Sequence, residues 1–314
     1  MSGRRAAALL LILALASSCR PVAKPHPAAM APWTAELRDA QPEEAFAAIY
    51  VWRGRTLTFI AAHHENQVDS PSFRLIDTAY AAMRIDTLIL EGFPYSRGPN
   101  AERTLSWYHS QTNVDGFVEG GETVPAMRGA IAQGAKIWGG EADDSEIRDR
   151  VLAAGFPRED LLGFYTLRSI PQWQRERRID GGGDPRVATL LDAELARNRA
   201  NLGFAAEVLP DREAWMRWYA RTNGKPLDAS FTVEEAGPRA DGRFRSNLIA
   251  AEIGRARDSF LVERVAAHLT AGEDVMVVFG ASHLMILRPA LDRMLGKPCY
   301  VGDALQSAPA RCRS

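Results

Sequence analysis

Two histidines and two glutamates stand where short apolar runs end. The four residues are His64, Glu91, Glu141 and His283. Strands of a parallel sheet are buried on both faces and therefore read as continuous apolar runs, and ligands gather beyond their carboxyl ends. We therefore expect the four side chains to meet in one cleft, where imidazoles and carboxylates would form a catalytic or binding site.

The first of these runs ends in two consecutive histidines, His63 and His64. Successive side chains of a strand point to opposite faces, so the two imidazoles cannot both face one cleft. His64 stands three residues after Ala61, as His283 stands three residues after Gly280. This spacing favours His64 as the site residue and leaves His63 a supporting or core role.

A metal centre is one use of these residues. Neutral imidazoles and carboxylates are the usual ligands of catalytic zinc sites, and three protein ligands leave a position for water. His64, His283 and Glu91 match that count, and such a set suits zinc, manganese or cobalt alike. The metal would acidify its bound water, while Glu141 would serve as an auxiliary base or ligand.

The same residues could also act without a metal. They would then supply a general base and its orienting partner, so that water attacks the substrate directly. The residue types alone leave both schemes open.

The N-terminus predicts export. Two arginines precede an apolar stretch that is too short to span a bilayer, which is typical of a signal peptide over residues 1–18. The stretch ends like a lipobox at Cys19, where we expect lipidation with palmitate; ordinary secretion is the alternative. Residues 19–45 begin Pro/Ala-rich and predict a tether. The protein would then be a lipid-anchored lipoprotein of the cell envelope, in the outer membrane and facing the periplasm.

The charge of the chain argues against nucleic acid as a partner. Removing the signal peptide removes Arg4 and Arg5, which leaves 36 basic residues (38 − 2) against 39 acidic ones, a net charge of −3. Nucleic-acid-binding domains need a basic footprint, and this balance offers none. Contact with a membrane is expected only through the lipid.

The remaining cysteines, Cys299 and Cys312, lie near the C-terminus. In an oxidising compartment they are predicted to form a disulfide that holds the tail, with two free thiols as the alternative.

Strand and helix patterns alternate within residues 46–314, which predicts an α/β fold: three layers, α/β/α, around a mostly parallel central sheet. From about 166 to 245 charged helical patterns dominate, and we expect a helical insertion there. Trp215, Trp218 and Tyr219 have helical spacing in this stretch, which favours core packing over a ligand platform.

With these features together, the chain resembles the TraB/GumN–Tiki–ChaN–erythromycin-esterase superfamily. Its hallmarks are two Gly-x-x-His motifs, a strand-end glutamate after the first, and an arginine in the helix before the second. Gly280-Ala-Ser-His283 matches the second motif, and Ala61-Ala-His-His64 matches the first except for its alanine. Leu88-Ile-Leu-Glu91-Gly92 matches the glutamate strand, and Arg257-Asp258 lies at the family's arginine position.

The resemblance covers residues 50–165 and 245–300. Tiki-like members imply a metal-dependent hydrolase acting on peptide bonds, whereas erythromycin-esterase-like members imply that His64 and Glu91 activate water on an ester. ChaN-like members, which are bacterial lipoproteins, imply haem as the ligand of a histidine. In an enzyme of this family Arg257 would stabilise a developing oxyanion. A structural lipoprotein with a decayed site is the remaining alternative.

Overall fold

The computed structural model of the chain describes residues 29–308 and 310–312. The predicted signal peptide and the predicted lipid-bearing Cys19 lie outside these residues. The described chain is a mixed α/β protein with a six-stranded, mostly parallel sheet, which confirms the predicted α/β class and sheet type.

The strands of this sheet are β1 Phe46–Trp52, β2 Arg55–Ala62, β3 Thr87–Pro94, β6 Lys136–Glu141, β7 Val275–Gly280 and β8 Tyr300–Gly302. A short hairpin pairs β4 Asn113–Val114 with β5 Phe117–Val118. The helices are α1 Ala35–Asp39, α2 Pro71–Ala82, α3 Glu102–Ser110, α4 Thr123–Gln133, α5 Asp144–Ala153, α6 Arg158–Leu167, α7 Ser169–Arg175, α8 Arg186–Asn201, α9 Arg212–Asn223, α10 Arg245–Thr270 and α11 Ala281–Leu295. Within the described residues, none of these helices has both the length and the apolar character needed to cross a membrane.

The strand order in the sheet is β6-β3-β7-β2-β1-β8. The first four strands of this order run parallel to one another, whereas β1 is antiparallel to both β2 and β8. Parallel neighbours need crossover connections, and these contain α2, α4 and the helices between β6 and β7. Four carboxyl ends therefore lie side by side at one edge of the sheet.

Both faces of the sheet are buried because alternate strand residues enter different cores. Leu88 and Leu90 of β3 join a core that contains residues of α2 and α4. Ile89, between them, joins a second core with residues of α10 and α11. The continuous apolar runs seen in the sequence follow from this two-sided burial.

The helical region between β6 and β7 is wider than the predicted insertion at 166–245. It extends from α5 through α10, over residues 144–270, and has a hydrophobic core of its own. The predicted start falls inside α6, whose residues from Asp160 to Leu167 are all buried, so no amphipathic period marks this helix in the sequence. Trp215, Trp218 and Tyr219 are buried in the same core, which confirms that they are packing residues.

The described part of the predicted tether, residues 29–45, packs on the domain. Ala31 N donates to Ile286 O at 2.9 Å, Ala240 N donates to Trp33 O at 2.8 Å, and Thr34 caps α1. The tether prediction is therefore corrected for these residues. The composition of this segment suggested an extended linker, but composition does not indicate backbone hydrogen bonds to distant segments.

Cys299 and Cys312 are joined by a disulfide, with their Cα atoms 6.0 Å apart. Cys312 is fully buried, and Cys299 N donates to Ile49 O in β1 at 2.8 Å. The bridge therefore holds the C-terminal segment against the edge of the sheet.

Candidate active site

The four predicted site residues lie on four adjacent parallel strands or directly after them. In sheet order they are Glu141 at the end of β6, Glu91 in β3, His283 after β7 and His64 after β2. The structure therefore brings together all four residues that sequence analysis selected.

Two of them are held differently from expectation. His283 was expected at the end of a strand, but β7 ends at Gly280 and His283 lies in the first turn of α11. Glu91 lies where the pairing of β3 with β6 becomes irregular, next to Gly92, whose φ of +84° favours glycine. The irregular pairing at Glu91 and the first turn of α11 thus place the two side chains at the cleft.

Arg257 of α10 joins the two glutamates. Its Nη2 donates to Glu91 Oε1 at 2.8 Å, and its Nε donates to Glu141 Oε2 at 2.7 Å. A further hydrogen bond runs from Nη2 to the other oxygen of Glu141. The three side chains are at most 22% exposed, so this is a largely desolvated cluster of one cation and two anions.

The charges of this cluster set its protonation. Burial alone would raise the pKa of Glu91, but His283 and Arg257 outweigh burial and hold that pKa well below its usual value. Burial would also raise the pKa of Glu141, but the guanidinium of Arg257 outweighs burial and lowers that pKa. Both carboxyl groups are therefore ionised at neutral pH. This does not favour the auxiliary-base role predicted for Glu141, whose two oxygens both bind Arg257.

His283 lies between two carboxylates. Its Nδ1 is 2.5 Å from Asp258 Oδ1, and its Nε2 is 3.5 Å from Glu91 Oε1. Burial lowers the pKa of the imidazole, but the two carboxylates overcome this effect and raise the pKa to about 10. His283 is therefore a cation at neutral pH, with a proton on each ring nitrogen.

His64 has a different environment. Its Nδ1 lies 2.8 Å from Glu122 Oε1, and the hydrogen bond between them raises the pKa of His64. In the tautomer that donates Nδ1–H to Glu122, Nε2 keeps its lone pair. Nε2 makes no hydrogen bond to any other residue in the described part of the chain, so it is available to accept a proton.

Glu122 and Asp258 are the partners that the predicted site lacked. Glu122 directly precedes α4, and Asp258 entered sequence analysis only as the neighbour of Arg257 in a motif. Helices that follow parallel strands begin at the carboxyl edge of the sheet, so the residue before α4 carried a usable signal. No comparable pattern marked Asp258.

Position 280, three residues before His283, has space only for a glycine. Its backbone N donates to Glu91 Oε2 at 2.8 Å. A Cβ at this position would lie 2.9 Å from His64 Nε2 and 3.5 Å from Glu91 Oε2. Its φ of −54° is open to any residue, so the constraint is the close approach of the imidazole rather than the backbone conformation.

Gly280→Ala is therefore expected to displace His64 without unfolding the protein. A misplacement of about 1 Å at a reacting group costs up to about 100-fold in rate, and we expect a loss of that order in kcat. Activity assays and thermal melting together measure it. Full activity in a normally folded variant would contradict the close contact.

His64 and Glu91 open onto a cavity of about 740 Å³. Trp107 of α3 forms part of the wall, and Gln172 and Arg175 of α7 come from the helical region. The helical region thus contributes to the space in which a substrate would lie.

The predicted metal ligands His64, Glu91 and His283 lie close together, but two of them are already engaged by other side chains. His283 has Asp258 at Nδ1, and its Nε2 faces Glu91 at 3.5 Å. Glu91 already accepts hydrogen bonds at both oxygens, and the adjacent guanidinium of Arg257 repels a divalent cation. In residues 29–308 and 310–312, no group of three His, Cys, Asp or Glu is arranged to hold a metal ion.

Haem fits only one of the two histidines. An axial ligand needs a free ring nitrogen. Both nitrogens of His283 face carboxylates, whereas Nε2 of His64 has no hydrogen-bond partner among the described residues. A haem site would therefore depend on His64, beside the cavity of about 740 Å³.

Comparison of the chain with protein-family models, with curated proteins and with solved structures finds no match. The resemblance to the TraB/GumN–Tiki–ChaN–erythromycin-esterase superfamily therefore stays a prediction, and the site has to be interpreted from its own geometry.

Proposed function

We propose that the chain is a hydrolase in which His64 activates water as a general base, without a metal. The observation that carries the proposal is the pairing of His64 with Glu122. A carboxylate on Nδ1 selects the tautomer whose Nε2 can take a proton, and this is the orientation that a general base needs. That nitrogen faces Gly280 and Glu91 at the edge of the cavity.

In the proposed reaction, the oxygen of a water molecule attacks the carbonyl carbon of the substrate while His64 Nε2 takes one of its protons. The tetrahedral intermediate then collapses and the bond to the leaving oxygen breaks. His64 returns the proton to that oxygen, so the products are a carboxylic acid and an alcohol. Glu122 stabilises the transient imidazolium.

The neighbouring charges support these steps. The negative charge of Glu91 raises the pKa of His64 in addition to the hydrogen bond from Glu122, so it strengthens the base. Arg257 and His283 are cations held beside Glu91. Each of them is already paired with two carboxylates, so the oxyanion role expected of Arg257 stays a prediction.

An ester is the substrate that this site favours, ahead of the peptide bond expected from Tiki-like proteins. An amine must be protonated before it leaves a tetrahedral intermediate, whereas an alkoxide leaves more readily. A single histidine that is about half exposed suits the easier reaction. Peptide hydrolysis and haem binding at His64 are the alternatives.

Two further predictions belong to the proposal. One is a three-layer α/β/α arrangement, supported by the separate helix-containing cores on the two sheet faces. The other is a lipid-anchored location in the cell envelope, which the N-terminal sequence supports.

Metal removal tests the proposal. The mature chain, purified without a histidine tag, is assayed on p-nitrophenyl esters before and after dialysis against EDTA, with elemental analysis of both samples. We expect ester hydrolysis that chelation leaves unchanged. Activity that disappears with EDTA and returns with zinc, manganese or cobalt would contradict the metal-free scheme. A haem Soret band that His64→Ala removes, without ester hydrolysis, would favour the haem alternative.

A further inference from the structure

A second cavity adjoins the catalytic one at Glu91. It has a volume of about 380 Å³, and its wall includes Arg97, Arg103 and Trp107. Glu91 and Trp107 border both cavities. A ligand in the smaller cavity would therefore extend toward the reacting atoms beside His64.

Among the described residues, Arg97 and Arg103 have no acidic partner within ion-pair distance. Arg97 ends the turn after β3, and Arg103 lies in the first turn of α3. Neither side chain forms a hydrogen bond or an ion pair with a residue that the structure describes. The other arginine at the site, Arg257, is by contrast fully engaged with two carboxylates.

The smaller cavity carries uncompensated positive charge. Burial and the nearby charge of Arg103 both lower the pKa of Arg97. The negative charge of Asp143 raises the pKa of Arg97, but Oδ1 of Asp143 accepts a hydrogen bond from Ser96 Oγ rather than from Arg97. Glu91 is the acidic residue of the cavity wall, and its charge is shared by Arg257 and His283.

We propose that Arg97 and Arg103 bind an oxyanion of the substrate, a carboxylate or a phosphate, and hold the ester bond beside His64. Guanidinium groups present forked N–H donors that match both anions. Two like charges in one cavity repel each other until an anion lies between them. Trp107 packs edge-on against Phe93, with ring centroids 4.9 Å apart, and offers an apolar surface for the carbon skeleton.

Anion binding is tested by calorimetric titration of inorganic phosphate and of succinate at low ionic strength. The variant is Arg97→Gln/Arg103→Gln. The matched control is Arg293→Gln, an exposed arginine of α11 that lines neither cavity. We expect saturable binding that weakens at least about tenfold in the double variant, because charge-assisted hydrogen bonds are lost. The control should bind like wild type.

Comparing the two anions distinguishes the two substrate classes. Tighter binding of phosphate would indicate a phosphorylated substrate, and tighter binding of succinate a carboxylated one. Added salt should weaken this binding because the arginines are near the surface. No saturable binding of either anion by the wild type, or equal binding by the double variant, would overturn the proposal.

The role in substrate selection rests on the proposed hydrolase function, whereas anion binding does not. His64→Ala should lose hydrolysis and keep anion binding. In the double variant, we expect KM to rise at least about tenfold for p-nitrophenyl hemisuccinate and to stay unchanged for neutral p-nitrophenyl butyrate. Equal effects on both esters would overturn the assignment of the arginines to substrate selection.

Discussion

Replacing His64 by alanine is expected to lower kcat for ester hydrolysis about 10³-fold, within the range that a positioned general base contributes. The fold should be retained, because the side chain is about half exposed and its only described hydrogen bond is to Glu122. Rates with p-nitrophenyl esters, together with thermal melting, measure the two effects separately.

Glu122→Gln probes the orientation of the same base. A glutamine amide can donate to Nδ1, which would place the imidazole proton on Nε2 and remove the lone pair that accepts the proton from water. We expect a loss in kcat of roughly 100-fold or more, as when an orienting carboxylate is converted to an amide in a catalytic triad.

His63→Ala is the matched control, since it removes the same side chain one position earlier. The imidazole of His63 lies 3.3 Å from the amide nitrogen of Gln41, whereas that of His64 pairs with Glu122. The activity of the His63→Ala variant should equal that of the wild type. If His63→Ala were inactive and His64→Ala active, the assignment of the base to His64 would be wrong.

The strand-end residues could be predicted because their signal is local. Continuous apolar runs mark strands that are buried on both faces, and the residue that follows such a run lies at the edge where ligands bind. His64, Glu91, Glu141 and His283 were found in this way, although His283 belongs to α11. The sheet topology then makes them neighbours.

The partners of these residues could not be predicted as readily. Glu122 and Asp258 lie 58 and 25 positions from the histidines they bind, and such distances are set by how helices pack on the sheet. Arg257 was placed in the site by a motif, but its pairing with two glutamates depends on where α10 crosses the sheet. Side-chain pairing of this kind has no periodic signal.

The largest effect on stability is expected from Arg257→Gln. It would leave Glu91 and Glu141 ionised, largely buried and without their shared cation. Breaking a buried ion pair by removing one partner costs about 3–5 kcal/mol, because the remaining charge is uncompensated. Urea denaturation at neutral pH should show this decrease in the free energy of unfolding, with an unchanged m-value.

A second substitution shows whether uncompensated charge causes the loss. In Arg257→Gln/Glu141→Gln one of the two uncompensated negative charges is also removed, so the double variant should be more stable than Arg257→Gln alone, a coupling of about 1–3 kcal/mol. The matched control is Arg255→Gln, two residues earlier on α10. Arg255 is 55% exposed and pairs with Glu252. Its loss should stay below about 1 kcal/mol, as for other surface ion pairs. Equal losses at positions 255 and 257 would mean that the carboxylates do not depend on Arg257. The cluster would then be a surface network rather than the element that holds Glu91 beside His64.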